Sequence, residues 1–249
     1  MSSSLPLQAV FVSDVHLSDS TPQTQAAFAD FIRDEAPRAR HVYILGDLFE
    51  YWAGDDDLST PFIRQVVGDI RALTEKGTAV FWVAGNRDFL TGEQFARESG
   101  MTPLPDEHCL TIAGQVVTIA HGDAQCLDDP DYVQFRAMVR HPEWQRQFLA
   151  VPLPQRKALI QQFRKDSYAQ NETKSHSWDV TPSAVTALFD KTRADTLVHG
   201  HTHRPGQFGH EGGRTRYVLP DWDCEQSPRR GGWLSLSATG EFALHFLPG

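Results

Sequence analysis

Seven side chains that can bind metal ions stand in five short blocks along the chain, and most of these blocks follow an apolar run typical of a β-strand. Because the carboxyl ends of parallel strands meet at one edge of a sheet, we expect these side chains to converge. Two aspartates, one asparagine and four histidines exceed the needs of one ion and suit two divalent cations that share a carboxylate. The seven residues are Asp14, His16, Asp47, Asn86, His121, His201 and His203.

The ligand types also indicate which ions and which reaction to expect. Imidazole combined with carboxylate suits Mn²⁺, Fe²⁺ or Zn²⁺ better than Mg²⁺ or Ca²⁺, which favour oxygen ligands. A structural zinc site is closed and tetrahedral, whereas this ligand set leaves room for water and substrate. The pattern therefore favours a catalytic two-metal centre in which an activated hydroxide splits a phosphoester bond. The pair Asp14 and His16 alone would be a weak signal, because alternate residues of a strand share a face in any sheet.

The elements that must position these blocks alternate along the chain. Helical stretches are predicted at Gln23–Glu35 and at Pro61–Lys76, the second with Pro at its start and Lys-Gly at its end, as helix termini prefer. Alternation of strands and helices indicates α/β layering. The strands that precede the ligand blocks are predicted at Leu7–Ser13, His41–Leu45, Ala79–Ala84, Val116–Ala120 and Thr196–His199.

The stretch from residue 131 to 168 breaks this alternation. Two amphipathic helices are predicted there, around Tyr132–Ala150 and Gln155–Gln170, separated by Val151–Pro154. They could form a helical hairpin packed on the core or a lid over the metal site, and the sequence leaves both open. Between residues 130 and 178, eight basic residues stand against four acidic ones, although the whole chain carries a net charge of −9.

Bulk composition limits the classes of protein. With 249 residues, 40% of them hydrophobic, the chain fits one domain, 1–249, with a helical insertion at 130–178. The acidic balance argues against a general nucleic-acid binder. Three scattered cysteines indicate reduced thiols, and neither a signal sequence nor a membrane span is apparent, so a cytoplasmic protein is expected. We also expect a monomer, although no feature of the sequence determines the oligomeric state.

The five blocks resemble the calcineurin-like metallophosphoesterase superfamily. This resemblance implies an α/β fold, a four-layer α/β/β/α sandwich of two mixed sheets with a helical lid insertion. It also implies that Asp14, His16, Asp47 and His203 hold one ion, and that Asp47 is shared with a second ion. The motifs are Asp14-Val-His16, Gly46-Asp47, Gly85-Asn86-Arg87-Asp88, His121-Gly122 and Gly200-His201-Thr-His203, and the second ion takes Asp47, Asn86, His121 and His201.

One position departs from the superfamily pattern. Many members carry a histidine after the asparagine, where this chain has Arg87. An arginine cannot act as a general acid near neutral pH, but its planar fork binds phosphate oxygens in bidentate fashion. Arg87 therefore suits a substrate with more than one phosphate and a leaving group that needs no protonation.

Longer strings resemble the UDP-2,3-diacylglucosamine diphosphatases of lipid A biosynthesis. This resemblance implies hydrolysis of the pyrophosphate to UMP and 2,3-diacylglucosamine 1-phosphate (lipid X), with two divalent ions, most often Mn²⁺. It also implies peripheral association with the cytoplasmic face of the inner membrane. The strings are Leu45–Glu50 with Trp52 and Gly54–Asp57, then Gly85–Leu90, Phe95–Met101 and His199–Pro205.

The same resemblance implies roles for further residues. Asp47 and Arg87 are the expected catalytic residues. Arg87 would stabilise the transition state, beside a hydroxide that bridges the two metal ions. The apolar helices of the insertion would hold two acyl chains. A basic rim would contact anionic lipid headgroups, and a solvated charged face is the alternative interpretation of the same residues. Substrate contacts are expected from Asn86, Arg87, Asp129, Ser167, Asn171, Lys174 and His201, and the rim from Arg136, Arg140, Arg156, Lys157, Arg164 and Lys165.

Two alternatives remain. One is another phosphoesterase of the superfamily, such as a nuclease, a cyclic-nucleotide phosphodiesterase or a phosphoprotein phosphatase, against which Arg87 and the apolar insertion both argue. The other is a metal-free scaffold that binds proteins, which we would expect to have lost some of its ligands.

Overall fold

The first sheet has six strands in the order β11-β10-β1-β2-β3-β4 in this computed structural model, which describes residues 7–173 and 179–248. For residues 164–173 it describes only the helical backbone. Strands β1 to β4 run parallel, and β10 and β11 add antiparallel pairs at one edge. The strands are β1 (Leu7–Val12), β2 (Ala39–Leu45), β3 (Ala79–Val83), β4 (Thr102–Pro103), β10 (Gly232–Leu236) and β11 (Phe242–Phe246).

The second sheet has five strands in the order β5-β6-β7-β9-β8. It is also mixed, because β6, β7 and β9 run parallel while β5 and β8 pair antiparallel at its edges. The strands are β5 (Glu107–Ile112), β6 (Gln115–Ala120), β7 (Thr196–His199), β8 (Gly206–Gly209) and β9 (Thr215–Val218).

Alternate side chains of the first sheet face two different apolar clusters, as the period of two along a strand requires. Phe11 and Leu45 pack against Ile119 and Val198 of the second sheet, so this cluster fills the space between the two sheets. Val10, Ile44 and Trp82 belong to the other cluster, together with apolar residues of the helices. Burial on both faces explains why these strands are apolar throughout.

Helices cover the outer faces of both sheets. On the first sheet these are α1 (Pro22–Asp30), which continues as a π-turn over Phe31–Glu35, α2 (Pro61–Glu75) and α3 (Glu93–Ser99). On the second sheet, α7 (Pro182–Thr192) packs through Val185, Leu188 and Phe189. The predicted four-layer α/β/β/α sandwich of two mixed sheets is confirmed, and each strand and helix predicted outside the insertion lies within two residues of its predicted bounds, apart from the π-turn.

The insertion contains three helices rather than the two predicted, α4 (Pro130–Val139), α5 (Pro142–Leu149) and α6 (Leu153–Thr173). The prediction of one helix over Tyr132–Ala150 was wrong because of Pro142. A residue that precedes proline is driven out of the helical region, and His141 is accordingly extended, with φ −70° and ψ 129°. Among the described helices, none combines the length and the apolar character that a bilayer crossing requires.

Candidate metal centre

The loops that follow β1, β2, β3, β6 and β7 carry all seven predicted ligands. In the first sheet β1, β2 and β3 are parallel neighbours, and in the second sheet β6 and β7 are parallel neighbours. Backbone hydrogen bonds join the loops to one another: Asp14 donates to Gly46, and Gly200 donates to His121. The carboxyl edges of both sheets therefore bring the five blocks to one place, as the strand-end argument predicts.

Five of the seven predicted ligands adopt left-handed backbone conformations, which are uncommon for residues other than glycine. The φ angles lie between 52° for Asp47 and 67° for His201. Such conformations cost free energy and concentrate at functional sites, where the surrounding structure holds them. The five residues are Asp14, His16, Asp47, His201 and His203.

Two glycines allow the loops to approach this closely. A Cβ atom at Gly85 would collide with the carboxylate and the backbone of Asp47, and one at Gly200 would collide with Asp14 and Ser13. Glycine next to the ligand blocks therefore serves close packing of the loops rather than flexibility.

One group of ligand atoms surrounds the side chain of His16. The Nε2 atoms of His16 and His203 lie 3.3 Å apart, and Nε2 of His203 lies 3.5 Å from a carboxylate oxygen of Asp14. One ligand atom each from Asp14, His16 and His203 all lie within 4.8 Å of one another. Two imidazole nitrogens and a carboxylate that face a common point form a donor set that suits a divalent transition metal.

A second group surrounds His121, which is buried. Its Nδ1 lies 2.8 Å from the carbonyl oxygen of Leu45, so Nδ1–H donates there and Nε2 faces the site. Nε2 lies 2.9 Å from Oδ1 of Asn86 and 3.6 Å from Oδ2 of Asp47, and the rings of His121 and His201 are 5.0 Å apart. The structure thus brings Asn86, His121, His201 and Asp47 together.

Asp14 and Asp47 join the two groups. Ligand atoms of Asp14, Asp47 and His121 also lie within 4.8 Å of one another, so Asp14 belongs to both groups by this measure. The assignment of Asp47 as the shared carboxylate stays a prediction, since the positions of ligand atoms alone do not distinguish it from Asp14.

The electrostatics of the site favour bound positive charge. Burial disfavours the charged form of His121, yet the carboxylates of Asp47, Asp14 and Asp123 raise its pKa to about 9. Burial also opposes ionisation of Asp14, but His203, His121 and His16 hold the pKa of Asp14 well below its usual range. A buried site that recruits a proton in this way has the charge balance expected of a cation site, so the donor set fits the metals that the sequence implies.

Asp88 binds the loops after β2 and β3 together. Its carboxylate accepts hydrogen bonds from the backbone N–H groups of Gly85 at 2.9 Å and Leu48 at 2.7 Å, and longer ones from Asp47 and Phe49 at 3.3 Å. Burial and the charge of Asp47 raise the pKa of Asp88 to about 7. This carboxylate fixes the position of Asp47 relative to Asn86.

Two of the seven predicted substrate residues, Asn86 and His201, belong to the group around His121. Arg87 lies at the site, where its backbone N–H donates to Oδ1 of Asp47 at 2.8 Å and its guanidinium lies 3.9 Å from Glu50. Asp129 caps α4, accepting from the N–H groups of Asp131 and Tyr132. Lys174 and the side chains of Ser167 and Asn171 lie outside the described residues. The substrate roles of all seven stay predictions.

The predicted basic rim is wrong at Arg156. This side chain is only 3% exposed, because it pairs with Asp56 and donates to the carbonyl of Ala53. Arg136 and Arg140 pair with Asp106 and Asp123, and Lys157 pairs with Asp57 at 2.7 Å. These four basic residues attach the insertion to acidic residues of the core, while Arg164 and Lys165 lie outside the described side chains.

Sequence reasoning missed two carboxylates that lie close to histidines of the predicted ligand set. Glu50 lies 3.0 Å from Nδ1 of His16, and Asp221 lies 3.6 Å from Nδ1 of His203. Carboxylates in such positions orient a ligating imidazole and hold its Nε2 toward the ion. Asp221 follows β9, a parallel neighbour of β7, so the strand-end argument applied to that strand would have found it.

A comparison with known families matches residues 7–205 to the calcineurin-like phosphoesterases. The chain belongs to the calcineurin-like phosphoesterase family. A solved archaeal phosphodiesterase has the same fold as this phosphoesterase, with a TM-score of 0.50 and 13% sequence identity, and the alignment covers 96% of this chain and 99% of that one.

Much closer relatives of this phosphoesterase carry a specific name. A UDP-2,3-diacylglucosamine hydrolase of Ralstonia nicotianae is 43% identical, over 91% of this chain and 88% of the relative. One of Aromatoleum aromaticum is 46% identical, over 87% and 89% of the two chains. These relatives confirm the resemblance stated from the sequence, and the similarity covers most of the chain.

Proposed function

We propose that this phosphoesterase hydrolyses the pyrophosphate bond of UDP-2,3-diacylglucosamine and releases UMP and 2,3-diacylglucosamine 1-phosphate. The observation that carries the proposal is the convergence of seven ligands beside an insertion whose apolar side chains are exposed. The names of the 40–46% identical relatives support the choice of substrate. The exposed apolar side chains of the insertion suit a substrate with acyl chains better than a nucleic acid or a phosphoprotein.

Two divalent ions, which we propose to be Mn²⁺, would be held by the seven predicted ligands. Asp14, His16 and His203 would hold one, and Asn86, His121 and His201 the other, with Asp47 shared. When bound, such ions activate water and neutralise negative charge on phosphoryl oxygens. Imidazole-rich ligation favours Mn²⁺, Fe²⁺ or Zn²⁺ over Mg²⁺.

The protein's own groups supply orientation and charge. Arg87 lies beside the shared carboxylate, where its guanidinium would bind oxygens of the pyrophosphate and stabilise the charge that develops as the bond breaks. Water adds to the α-phosphorus, and the bond from that phosphorus to the bridging oxygen breaks. The sugar 1-phosphate leaves as a stable anion, so no protonation by a general acid is required.

The insertion would receive the acyl chains. Phe135 of α4 and Phe163 of α6 lie with ring centroids 6.4 Å apart, and both side chains are exposed. Exposed apolar area of this kind marks a binding surface on a protein in water. The surface also includes Val133, Met138, Leu149 and Leu159.

The remaining parts of the proposal concern the setting of the reaction. A substrate with two acyl chains resides in a bilayer, so we propose that a monomer acts at the cytoplasmic face of the inner membrane, with residues 130–178 as the lid. The basic groups available for lipid headgroups are fewer than the sequence alone predicts, because Arg156 is buried. Apolar contact would therefore contribute more of the membrane affinity than charge does.

An isotope experiment tests the proposal. Protein stripped with a chelator is reloaded with Mn²⁺ and incubated with UDP-2,3-diacylglucosamine in H₂¹⁸O, and both products are analysed by mass spectrometry. We expect one ¹⁸O atom in UMP and none in the sugar phosphate. Label in the sugar phosphate would place the attack on the β-phosphorus. Hydrolysis of a simple aryl phosphate without action on the lipid-linked substrate would favour another phosphoesterase activity.

A further inference from the structure

The first helix of the insertion is bound to the loop that carries His121. Asp123 follows His121 by two residues, and its carboxylate is buried. One oxygen of this carboxylate accepts hydrogen bonds from the hydroxyl of Tyr132 at 3.1 Å and from Nε of Arg136 at 2.8 Å, and Arg140 lies 3.7 Å away. Tyr132, Arg136 and Arg140 are four residues apart along the helix, so their side chains share a face and approach the same carboxylate.

Tyr132 connects this carboxylate to a metal-binding histidine. Its ring stacks on the ring of His201, with centroids 6.2 Å apart and an angle of 29° between planes, and His201 in turn contacts His121. Because the Tyr132 hydroxyl is held by Asp123, the phenol ring cannot turn away from His201 without losing that hydrogen bond.

A second attachment lies on the other side of the same loops. Arg140 donates to the carbonyl oxygens of Gly85 at 2.9 Å and Ala84 at 3.2 Å, directly before Asn86. The helix that carries the exposed Phe135 is thus tied both to the loop of His121 and to the loop of Asn86.

We propose that Asp123 is a positioning residue that joins α4 to the metal centre, so that Tyr132 sets the plane of the His201 imidazole and the acyl-binding helix moves with the metal ligands as one unit. The inference rests on the proposed two-metal function. It assigns Asp123 a task beyond neutralising Arg136 and Arg140, and it makes α4 the helix that links the insertion to the metal ligands.

Asp106 provides a matched control, because it pairs with the same two arginines. Its oxygens lie 2.7 Å from Arg136 and 3.2 Å from Arg140, but its side chain is 45% exposed and it precedes β5 rather than a ligand. If Asp123 only neutralised these arginines, Asp106→Asn and Asp123→Asn would have similar effects on metal binding.

Calorimetric titration of the metal-stripped full-length variants with Mn²⁺ tests the difference. We expect Asp123→Asn to weaken the Mn²⁺ affinity by about 10-fold, as loss of a group that orients a ligand commonly does, and Asp106→Asn to change it by less than about 2-fold. Hydrogen exchange should show faster exchange of the α4 amides in Asp123→Asn, whether or not Mn²⁺ is present. Equal Mn²⁺ affinities for the two variants would overturn the proposal.

A second pair of variants keeps the test decisive if Asp123→Asn does not fold. Tyr132→Phe retains the ring over His201, whereas Tyr132→Leu removes it. We expect weaker Mn²⁺ binding in Tyr132→Leu than in Tyr132→Phe by about 5- to 10-fold, and equal affinities would overturn the inference. If the unaltered protein binds no divalent ion, the proposed function itself fails, which is a different result from unaltered binding in the variants.

Discussion

The edge of the two sheets that carries the seven predicted ligands, here called the metal edge, and the helical insertion bury opposite kinds of side chain. At the metal edge, polar residues such as Asp14 and His121 are buried among loops that follow strands, and each has charged or hydrogen-bonding neighbours. In the insertion, Phe135 and Phe163 are exposed while Arg156 is buried. Both regions thus reverse the usual partition of apolar residues inside and charged residues outside.

The two reversals have different physical causes. The buried carboxylates at the metal edge raise the pKa of His121, so this site favours added positive charge, as a metal site does. The apolar surface of the insertion is costly in water unless a ligand covers it, while its buried arginine serves only to attach α6. A buried charged or polar side chain therefore indicates metal binding at the metal edge and attachment of a helix in the insertion. The residues around the side chain distinguish the two cases.

The largest expected effect is at Asp47. Asp47→Asn keeps the size of the side chain but removes the charge that both groups of ligands are predicted to share. We expect the metal content to fall below two ions per chain and turnover of UDP-2,3-diacylglucosamine to fall by at least about 10³-fold. Elemental analysis and a UMP-release assay measure the two quantities.

The control for this variant is Asp57→Asn, which removes a buried carboxylate that pairs with Lys157 of the insertion. Its metal content should equal that of the unaltered protein, even if its stability is lower. Full metal content with normal turnover in Asp47→Asn would show that the metal edge does not need a shared carboxylate at this position.

Arg87→Ala should separate phosphate binding from metal binding. The guanidinium is removed while the backbone N–H that donates to Asp47 remains. We expect turnover to fall by about 100-fold with metal content unchanged, because an arginine of this kind stabilises developing charge. Arg87→Lys, which keeps a charge but not the planar fork, should restore only part of the loss. Normal turnover in Arg87→Ala would remove Arg87 from the catalytic residues.

The sequence predicts the metal edge well because the position of each ligand depends on one local rule. Asp14, Asp47 and His121 follow apolar strands, and parallel strands end at a common edge whatever the rest of the fold does. The same rule, applied to β9, would also have placed Asp221 at this edge, three residues after the strand, although the pattern of the strand does not identify His203 as its partner.

The same reasoning fails for the insertion because a long basic side chain gives no local sign of its partner. Arg156 and Asp56 are 100 residues apart, and their pairing depends on how α6 docks against the loop after β2. Periodicity could identify apolar positions, yet it could not distinguish the buried Phe148 from the exposed Phe163. Both the partner of Arg156 and the burial of Phe148 depend on tertiary packing, which local sequence does not show.

Arg156→Leu tests whether the buried arginine attaches the insertion. The variant leaves the carbonyl of Ala53 without its donor, so we expect the free energy of unfolding to fall by about 1–3 kcal/mol. Arg146→Leu is the matched control, since Arg146 pairs with Glu143 on the surface of α5, where the loss should be below about 1 kcal/mol. Urea denaturation measures both, and equal losses would mean that Arg156 contributes no more than a surface ion pair.

The smallest expected effect concerns the exposed apolar side chains. Phe135→Ser removes apolar area from the surface proposed to hold an acyl chain, whereas Gln134→Ser changes its exposed neighbour on the same helix. A partly covered phenyl ring contributes about 1 kcal/mol to binding, so KM for UDP-2,3-diacylglucosamine should rise about 5-fold in Phe135→Ser and stay unchanged in Gln134→Ser. Because the contact is the same in ground state and transition state, kcat should be retained. Hydrolysis of a UDP-sugar that lacks acyl chains should not distinguish the two variants, and a rise in KM for that substrate as well would indicate that Phe135 supports the metal edge rather than the lipid.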